Sequence, residues 1–178
     1  MRKLWELKKK EAEKEKSSSG ISPAQIRVQK DISELDVPST MSTSWPDVTK
    51  LHELLLEIRP DEGYYQGGKF QFSIHIGSNY PHDPPKVRCL NKIYHPNIDT
   101  QGNVCLNILR QEWNPVLNLN SILVGLQFLF LAPNAEDPLN KEAAADLRND
   151  PRGFGMRVKS SMQGGTVQSD VFDNVLLS

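Results

Sequence analysis

Residues 94–109 read Tyr94-His95-Pro96-Asn97-Ile98-Asp99-Thr100-Gln101-Gly102-Asn103-Val104-Cys105-Leu106-Asn107-Ile108-Leu109. They lie inside a longer segment, residues 91–120, that shows little of the alternation of a strand or the spacing of a helix. Long irregular segments inside a compact domain are often functional. This one is polar and contains a cysteine, Cys105. The chemistry of the protein is therefore expected in residues 91–120, and its fold in the regular elements on either side.

The sequence before this segment predicts an antiparallel sheet. Residues 70–76 alternate apolar and polar side chains, which is the clearest strand pattern in the chain. Residues 53–58 alternate in a similar way, and Val87 with Cys89 indicates a shorter strand. Residues 60–68 are rich in glycine and separate the first two strands with a turn. Successive strands joined by turns favour a meander of about four strands with one covered face.

A helix is predicted before the sheet. Residues 22–25 combine a serine cap, a proline at the first helical position and a glutamine at the third, which form a capping box. Ile26, Ile32 and Leu35 continue the helix with apolar spacing among charged and polar residues. The helix should end before Pro38, because proline disfavours helical backbone in the residue before it.

More helices are predicted after the irregular segment. Residues 121–131 are apolar nearly all round, which is typical of a buried central helix. Two further helices are predicted at residues 140–148 and 150–162, although glycines weaken the second. The elements together predict an α+β domain.

Composition excludes several classes of protein. The 21 Lys and Arg residues nearly cancel the 22 Asp and Glu residues, which is unlike the strongly basic balance of a nucleic-acid binder. The longest largely apolar run, residues 122–132, is too short to span a bilayer, which needs about 20 residues. Cys89 and Cys105 are too few for a disulfide framework, so we expect free thiols in the reducing cytosol or nucleus. The histidines and cysteines lack the spacing of ligand pairs, so no metal is expected.

The chain divides into a charged arm, residues 1–20, and a folded domain, residues 21–178. The arm has seven basic residues against four acidic ones and ends in a serine-rich linker, so we expect it to be flexible. Its apolar residues Met1, Leu4 and Trp5 would share one face of a helix. A solubilising tail is the simpler interpretation. An apolar cluster at the end of a charged arm favours a docking peptide that folds into a partner's groove.

The irregular segment resembles the active-site signature of the ubiquitin-conjugating enzyme family, in which His-Pro-Asn precedes a nucleophilic cysteine by seven intervening residues. The resemblance covers roughly residues 22–165 and continues in three further motifs, which are Tyr80-Pro81-His82-Asp83-Pro84-Pro85, Trp113-Asn114-Pro115 and Asp137-Pro138-Leu139. It implies the α+β ubiquitin-conjugating fold, with an N-terminal helix, a meander sheet, an active-site loop, a central helix and C-terminal helices, so that residues 21–178 would be the catalytic domain.

Within the family the chain is most similar to the neddylation branch, which carries the ubiquitin-like modifier of cullins. The similarity is strongest in residues 59–65, 102–110 and 137–144 and in the N-terminal extension. The branch usually has Ile or Leu at position 2, where this chain has Arg2. In the branch, docking of a co-ligase to this peptide depends on acetylation of Met1, so the departure at position 2 bears on that docking.

The activity that the resemblance implies is acyl transfer in two steps. Cys105 would take the modifier's C-terminal glycyl group from an activating enzyme as a thioester, and a lysine amine would then attack that thioester. Cysteine suits this reaction because its thioester reacts readily with amines. Cys89 alternates with Val87 on a predicted strand and is expected to be a buried, inert thiol.

Five residues besides Cys105 are assigned roles in the implied site, and for Asn97 and Asp137 an alternative is kept. Asn97 is expected to donate to the oxyanion or to order its loop through backbone bonds. His95 is expected to be structural, together with Pro96, because a base beside Cys105 would also activate water and waste the thioester. Asp137 would orient the incoming lysine, or else cap the next helix. Leu139 would line the approach of the lysine and exclude water.

The resemblance also implies partner surfaces. The activating enzyme and the co-ligase would dock on the arm and on the first helix, at Met1, Leu4, Trp5, Leu7, Arg27 and Lys30. A RING-type ligase would contact exposed loop tips at His82, Pro115 and Val116. The expected partners are thus a ubiquitin-like modifier, a heterodimeric activating enzyme, a RING-type ligase with its cullin target, and a co-ligase. We expect no cofactor, because ATP is used by the activating enzyme. We also expect the protein to be a monomer and to bind neither nucleic acid nor membrane.

Three other functions compete with this one. A ubiquitin-specific conjugating enzyme would use the same fold and chemistry. A thiol hydrolase would use Cys105 with His95. A non-catalytic adaptor of the fold would characteristically lack the cysteine, which is present here.

Overall fold

The computed structural model describes residues 20–176 and contains the predicted α+β architecture. Its elements, in chain order, are α1 (Pro23–Ser33), β1 (Met41–Ser44), β2 (Glu53–Ile58), β3 (Phe70–His75), β4 (Lys86–Cys89), α2 (Leu119–Leu131), α3 (Lys141–Asn149), α4 (Pro151–Met162), β5 (Thr166–Val167) and β6 (Asp170–Val171). A 3-10 helix, Asn107–Leu109, lies within the irregular segment.

The start of α1 follows the predicted capping box. The side chain of Ser22 accepts a hydrogen bond from the Gln25 N–H, and the side chain of Gln25 accepts one from the Ser22 N–H. The prediction of its apolar face is wrong at Ile26, whose side chain is 57% exposed. The buried face instead contains Ala24, Val28 and a carboxylate, Asp31. Hydrophobicity alone could not identify this face, because Asp31 is buried with polar partners of its own.

The sheet has the order β1-β2-β3-β4, with every neighbouring pair antiparallel, which confirms the predicted meander. Its strands place alternate side chains in the core, as in the cross-strand pair Leu56 and Phe72. The sequence did not locate β1, because Met41 is the only residue of this strand that is buried and the others are Ser or Thr.

Helix α2 packs on the covered face of the sheet. Asn118 caps it by accepting from the Ser121 N–H, and Phe130 stacks on Phe70 at a centroid distance of 4.5 Å. The prediction of burial all round is wrong, because Val124 and Phe128 are 62% and 63% exposed on the opposite side. Within residues 20–176, no helix has the length and apolar character that a membrane crossing requires.

Helices α3 and α4 begin within one residue of their predicted starts. After α4 the chain returns across the domain in a tail that the sequence did not predict, containing the hairpin β5–β6. The tail places Phe172 and Val175 in the core, and the Val175 carbonyl accepts from the Lys69 N–H at 2.7 Å. The tail therefore belongs to the folded domain.

Candidate active site

The backbone before Cys105 is set by a tight turn, residues 99–103. One carboxylate oxygen of Asp99 accepts from the N–H groups of Gln101 and Asn103, both at 2.9 Å. Gly102 has φ +81°, and a Cβ there would lie 2.1 Å from the carbonyl oxygen of Cys89. Position 102 therefore requires glycine, both for its left-handed backbone and for the closeness of strand β4.

Cys105 follows this turn and precedes the 3-10 helix. Its N–H donates to the Asn97 carbonyl at 2.8 Å, which ties the cysteine to the His-Pro-Asn segment. Its Sγ lies 3.6 Å from the backbone carbonyl oxygen of Asp137. The structure therefore places Cys105 beside Asn97, which precedes it closely in sequence, and beside Asp137, which is 32 residues away.

His95 is fully buried, and both of its ring nitrogens are occupied. Nδ1 accepts from the Asn97 N–H at 2.9 Å, so Nε2 carries the proton and donates to the Leu129 carbonyl, also at 2.9 Å. Burial lowers the pKa of His95 to about 4. The ring also stacks on Tyr65 at 4.9 Å. A neutral imidazole that is held in this way links the active-site segment to α2 and has no nitrogen free to deprotonate Cys105.

Asn97 is also buried, and both ends of its amide bind the backbone of one residue, Asn134. Nδ2 donates to the Asn134 carbonyl, and Oδ1 accepts from the Asn134 N–H, each at 2.9 Å. The amide thus holds the segment that leads to Asp137. One N–H of Nδ2 is left for an oxyanion, because an amide nitrogen has two donors.

Asp137 is exposed and has a positive φ of 48°, a conformation that non-glycine residues adopt rarely. It does not cap the next helix: the side chain of Asn140 does, by accepting from the Ala143 N–H. The capping alternative for Asp137 is therefore wrong. The Pro96 carbonyl accepts from the N–H groups of Leu139 and Asn140, each at 3.0 Å. This pair of bonds fixes the half-buried Leu139 beside the His-Pro-Asn segment.

Cys89 lies on β4 and points into the core, as its alternation with Val87 predicts. Burial raises the pKa of its thiol to about 12. Its Sγ donates to the Asn91 carbonyl at 3.3 Å. A thiol in this environment stays protonated near neutral pH and is a poor nucleophile.

The predicted ligase contacts lie on two neighbouring loops. His82 and Pro115 are exposed, and Val116 is 88% exposed. Trp113 joins the loops, because its indole N–H donates to the Pro81 carbonyl at 2.9 Å.

The two docking residues predicted on α1 differ from each other. Lys30 is exposed and lies 4.0 Å from Glu34 on the same helix. Arg27 is only partly exposed, and its guanidinium donates to Asp31 and to two backbone carbonyls of the loop that carries Val116. The predicted contacts of the arm, Met1, Leu4, Trp5 and Leu7, lie outside the described residues.

Sequence reasoning missed three residues of the site. Asp99 and Gly102 could have been found, because Asp-Thr-Gln-Gly-Asn has the composition of a turn closed by an aspartate side chain. Asn134 could not, because its contribution is made by backbone atoms. Over residues 20–176 no group of three or more His, Cys, Asp or Glu side chains is arranged to hold a metal ion.

Comparison with known proteins gives consistent matches. A family model described as ubiquitin-conjugating enzyme matches residues 27–162. The NEDD8-conjugating enzyme ubc12 of Schizosaccharomyces pombe is 77% identical over 176 residues, which cover 99% of each chain. The Nedd8-conjugating enzyme UbcE2M of Drosophila melanogaster is 54% identical over 180 residues, which cover 99% of each chain. The solved structure of S. cerevisiae Ubc12 superimposes with a TM-score of 0.87 at 45% identity and covers 99% of this chain and 98% of its own.

Proposed function

Because the chain belongs to the ubiquitin-conjugating enzyme family, we propose that it carries NEDD8 as a thioester on Cys105 and passes it to a lysine of a target. It is a transferase of the neddylation branch: the relatives reported above, which match over nearly the whole chain, are named for NEDD8 and not for ubiquitin. The observation that carries the site assignment is the position of the Cys105 sulfur, 3.6 Å from the backbone of Asp137 and tied through its own N–H to Asn97.

The first step is a thioester exchange. The Cys105 thiolate attacks the carbonyl carbon of the modifier's C-terminal glycyl thioester, and the thiol of the activating enzyme leaves as the new carbon–sulfur bond forms. ATP has already been used by the activating enzyme to form the first thioester. His95 is not the base in this step, because both of its nitrogens bind the protein backbone.

The second step is aminolysis. The amine of the target lysine attacks the thioester carbon, and Cys105 leaves as the thiolate when the tetrahedral intermediate collapses. The exposed carboxylate of Asp137 orients the ammonium group and accepts its proton. The remaining N–H of Asn97 is available to the oxyanion, and Leu139 narrows the approach so that water is excluded.

The partner surfaces are part of the same proposal. The activating enzyme binds the arm through Leu4, Trp5 and Leu7 and binds α1 through Lys30. A RING-type ligase contacts His82, Pro115 and Val116 and brings a cullin lysine to the thioester, while a co-ligase binds the N-terminus at Met1. The exposure of both loop tips supports the ligase contact. The enzyme acts as a monomer in the cytoplasm and nucleus.

The decisive experiment is a charging assay with two modifiers. The protein is incubated with ATP and with NEDD8 or ubiquitin, each with its own activating enzyme, and adducts are separated with and without reductant. We expect a reducible adduct with NEDD8 that forms much faster than with ubiquitin. Faster charging with ubiquitin would make this a ubiquitin-specific enzyme, and turnover of small thioesters by water without an adduct would indicate a hydrolase.

The role of the arm has its own test. Deletion of residues 1–20 should weaken charging by about 10²-fold, because two linked weak sites act at a high effective concentration. The double variant Leu4→Ala and Leu7→Ala should reproduce most of this loss, and a peptide of residues 1–20 should compete with the full chain. If the truncated protein were charged at an unchanged rate, the arm would be only a solubilising tail.

A further inference from the structure

A buried carboxylate connects α1 to the two loops that carry the proposed ligase contacts. Asp31 is 3% exposed, and it is one of very few charged side chains in the core of the described domain. One of its oxygens accepts from the hydroxyl of Tyr80, which begins the loop that leads to His82. The other accepts from Nε of Arg27 at 2.8 Å. A buried carboxylate is costly unless it is paired in this way, so the arrangement is specific.

Arg27 uses the rest of its guanidinium on the second loop. One terminal nitrogen donates to the Pro115 carbonyl at 2.8 Å, and the other donates to the Leu117 carbonyl at 2.7 Å. These two carbonyls flank Val116, whose side chain points to solvent. The guanidinium also lies 5.5 Å from the centre of the Tyr80 ring, within range of a cation–π interaction.

The two loops are joined a second time, through Trp113. The Trp113 indole donates to the Pro81 carbonyl, and its ring lies 6.0 Å from that of Tyr80. The loop that carries Val116 is therefore held both by Trp113 and by Arg27, and Arg27 is itself held by Asp31.

We propose that Arg27 is a positioning residue for the ligase-dependent step, which holds residues 115–117 in the shape that the ligase binds, while Asp31 and Tyr80 hold Arg27. This inference rests on the ligase contact of the proposed function. It changes the role of Arg27 that the sequence suggested, a charge displayed to a docking partner. Arginine is required, because its planar guanidinium supplies donors in three directions and lysine has one compact ammonium group.

The test compares Arg27→Lys, Asp31→Asn and Tyr80→Phe with the exposed control Gln29→Ala on the same helix. Each protein is charged with NEDD8 and isolated, and a cullin-bound RING ligase is then titrated in single-turnover discharge. Using isolated thioester removes any effect on charging. We expect the ligase concentration for half-maximal stimulation to rise roughly five- to tenfold for Arg27→Lys and Asp31→Asn, the effect of one or two lost hydrogen bonds, with a smaller rise for Tyr80→Phe. The maximal rate at saturating ligase should stay near that of Gln29→Ala, because neither loop carries a residue with a proposed role in the chemistry.

Two results would overturn the inference. A defect in Arg27→Lys that is absent from both Asp31→Asn and Tyr80→Phe would mean that Arg27 touches the ligase directly, because Asp31 is buried and cannot. Unchanged amide hydrogen exchange of residues 114–117 in Arg27→Lys would show that the guanidinium does not hold the loop. If Asp31→Asn does not fold, Tyr80→Phe carries the same comparison, because it removes only one hydroxyl.

A separate variant tests whether the ligase contacts this surface at all. Val116→Asp should abolish stimulation by the ligase while leaving hydrogen exchange at residues 114–117 close to that of the unmodified protein. Normal stimulation of Val116→Asp would overturn the proposed ligase contact, and with it this role of Arg27, even if Arg27→Lys accelerates exchange in the loop.

Discussion

The two cysteines of the chain have nearly the same solvent exposure, but one lies on a regular strand and the other in an irregular segment. Cys89 is 5% exposed and Cys105 is 9% exposed. Cys89 is held on a strand, with its side chain directed into the core and the pKa of its thiol raised to about 12 by burial. Cys105 follows a turn and lies against the segment that carries an exposed carboxylate, Asp137. Exposure therefore does not separate the thiol that we propose as the nucleophile from the one in the core, whereas the backbone that carries each thiol does.

Strand β4, which carries Cys89, lies against the turn that precedes Cys105. Gly102, in the turn before Cys105, accepts from the Cys89 N–H at 2.9 Å and lies too close to the Cys89 carbonyl for any side chain. The strand that buries one cysteine thus supports the turn that presents the other. Each of the following changes tests a part of this difference.

Replacing the cysteines one at a time should have the largest effect. Cys105→Ser should abolish the reducible adduct or convert it to an oxyester that resists reductant, because the nucleophile is lost. Cys89→Ser should leave charging intact, although it places a hydroxyl in the core. Gel electrophoresis under reducing and non-reducing conditions measures both. A thioester that persists in Cys105→Ser and disappears in Cys89→Ser would reverse the assignment.

Asn97→Ala should permit charging and slow discharge to lysine by about 10²–10³-fold. Two causes combine: a donor near the oxyanion is lost, and Asn134, close before Asp137 in the chain, is released. The loss of two partly buried hydrogen bonds should also lower the free energy of unfolding by about 2 kcal/mol. Asn107→Ala, in an exposed position of the same segment, is the control. Discharge within about twofold of the original protein would leave Asn97 only its role in ordering the loop.

Asp137→Ala should slow discharge by about 10²-fold near neutral pH, the low end of the effect of a positioned proton acceptor. The defect should shrink at alkaline pH, because a larger fraction of the lysine substrate is then already deprotonated. Single-turnover discharge to free lysine between neutral and alkaline pH measures it. A defect of the same size at every pH would show that Asp137 positions the lysine without accepting its proton.

Gly102→Ala should lower the free energy of unfolding by about 2–3 kcal/mol and slow charging, because strand and turn must move apart. Gly67→Ala is a matched control: Gly67 has φ +82°, nearly that of Gly102, but nothing within 4 Å of an added Cβ. The difference between the two variants isolates the contact with Cys89 from the strain of a positive φ. Equal losses in chemical denaturation would mean that the two cysteine regions are independent.

Much of this arrangement could be predicted from sequence, because its signals are local. The alternation in residues 53–58 and 70–76 gave two strands, and the capping box gave the start of α1. The strand β1 escaped because its side chains are small and polar. The prediction that α2 is buried all round was wrong for a different reason. Its apolar composition indicates burial, but only one side of the helix packs on the sheet, and Val124 and Phe128 are left exposed.

The roles of residues within the site could not be predicted from sequence, because they depend on contacts between distant parts of the chain. The motif spacing identified Asn97 and His95, but their roles follow from bonds to the backbone of Asn134 and Leu129, which come from a distant part of the chain. Arg27 shows the same limit. A basic residue on a helix resembles a docking charge until its bonds to Pro115 and Leu117 are seen.

The smallest effect on activity is expected from the titration of His95, and it decides whether Cys105 has a histidine partner. The pKa of His95 is lowered from 6.5 to about 4 by burial, so the folded state binds fewer protons than the unfolded state between these values. Stability contributed by the neutral ring is therefore fully present above about pH 6.5 and is lost as the pH falls toward 4.

We expect the free energy of unfolding to fall by about 1–3 kcal/mol over this interval, with the fall strongly reduced in His95→Gln and retained in His75→Gln, which removes an exposed histidine. The readout is the slope of the free energy of unfolding with pH, because a general destabilisation of His95→Gln would lower the free energy at every pH without changing this slope. The rate of charging should show no inflection from His95 between pH 6 and 8, because the ring is neutral throughout that interval. An inflection near pH 6.5 that disappears in His95→Gln would instead show a histidine that titrates beside Cys105, and the nucleophile would then owe its reactivity to a Cys-His pair and not to the backbone that carries it.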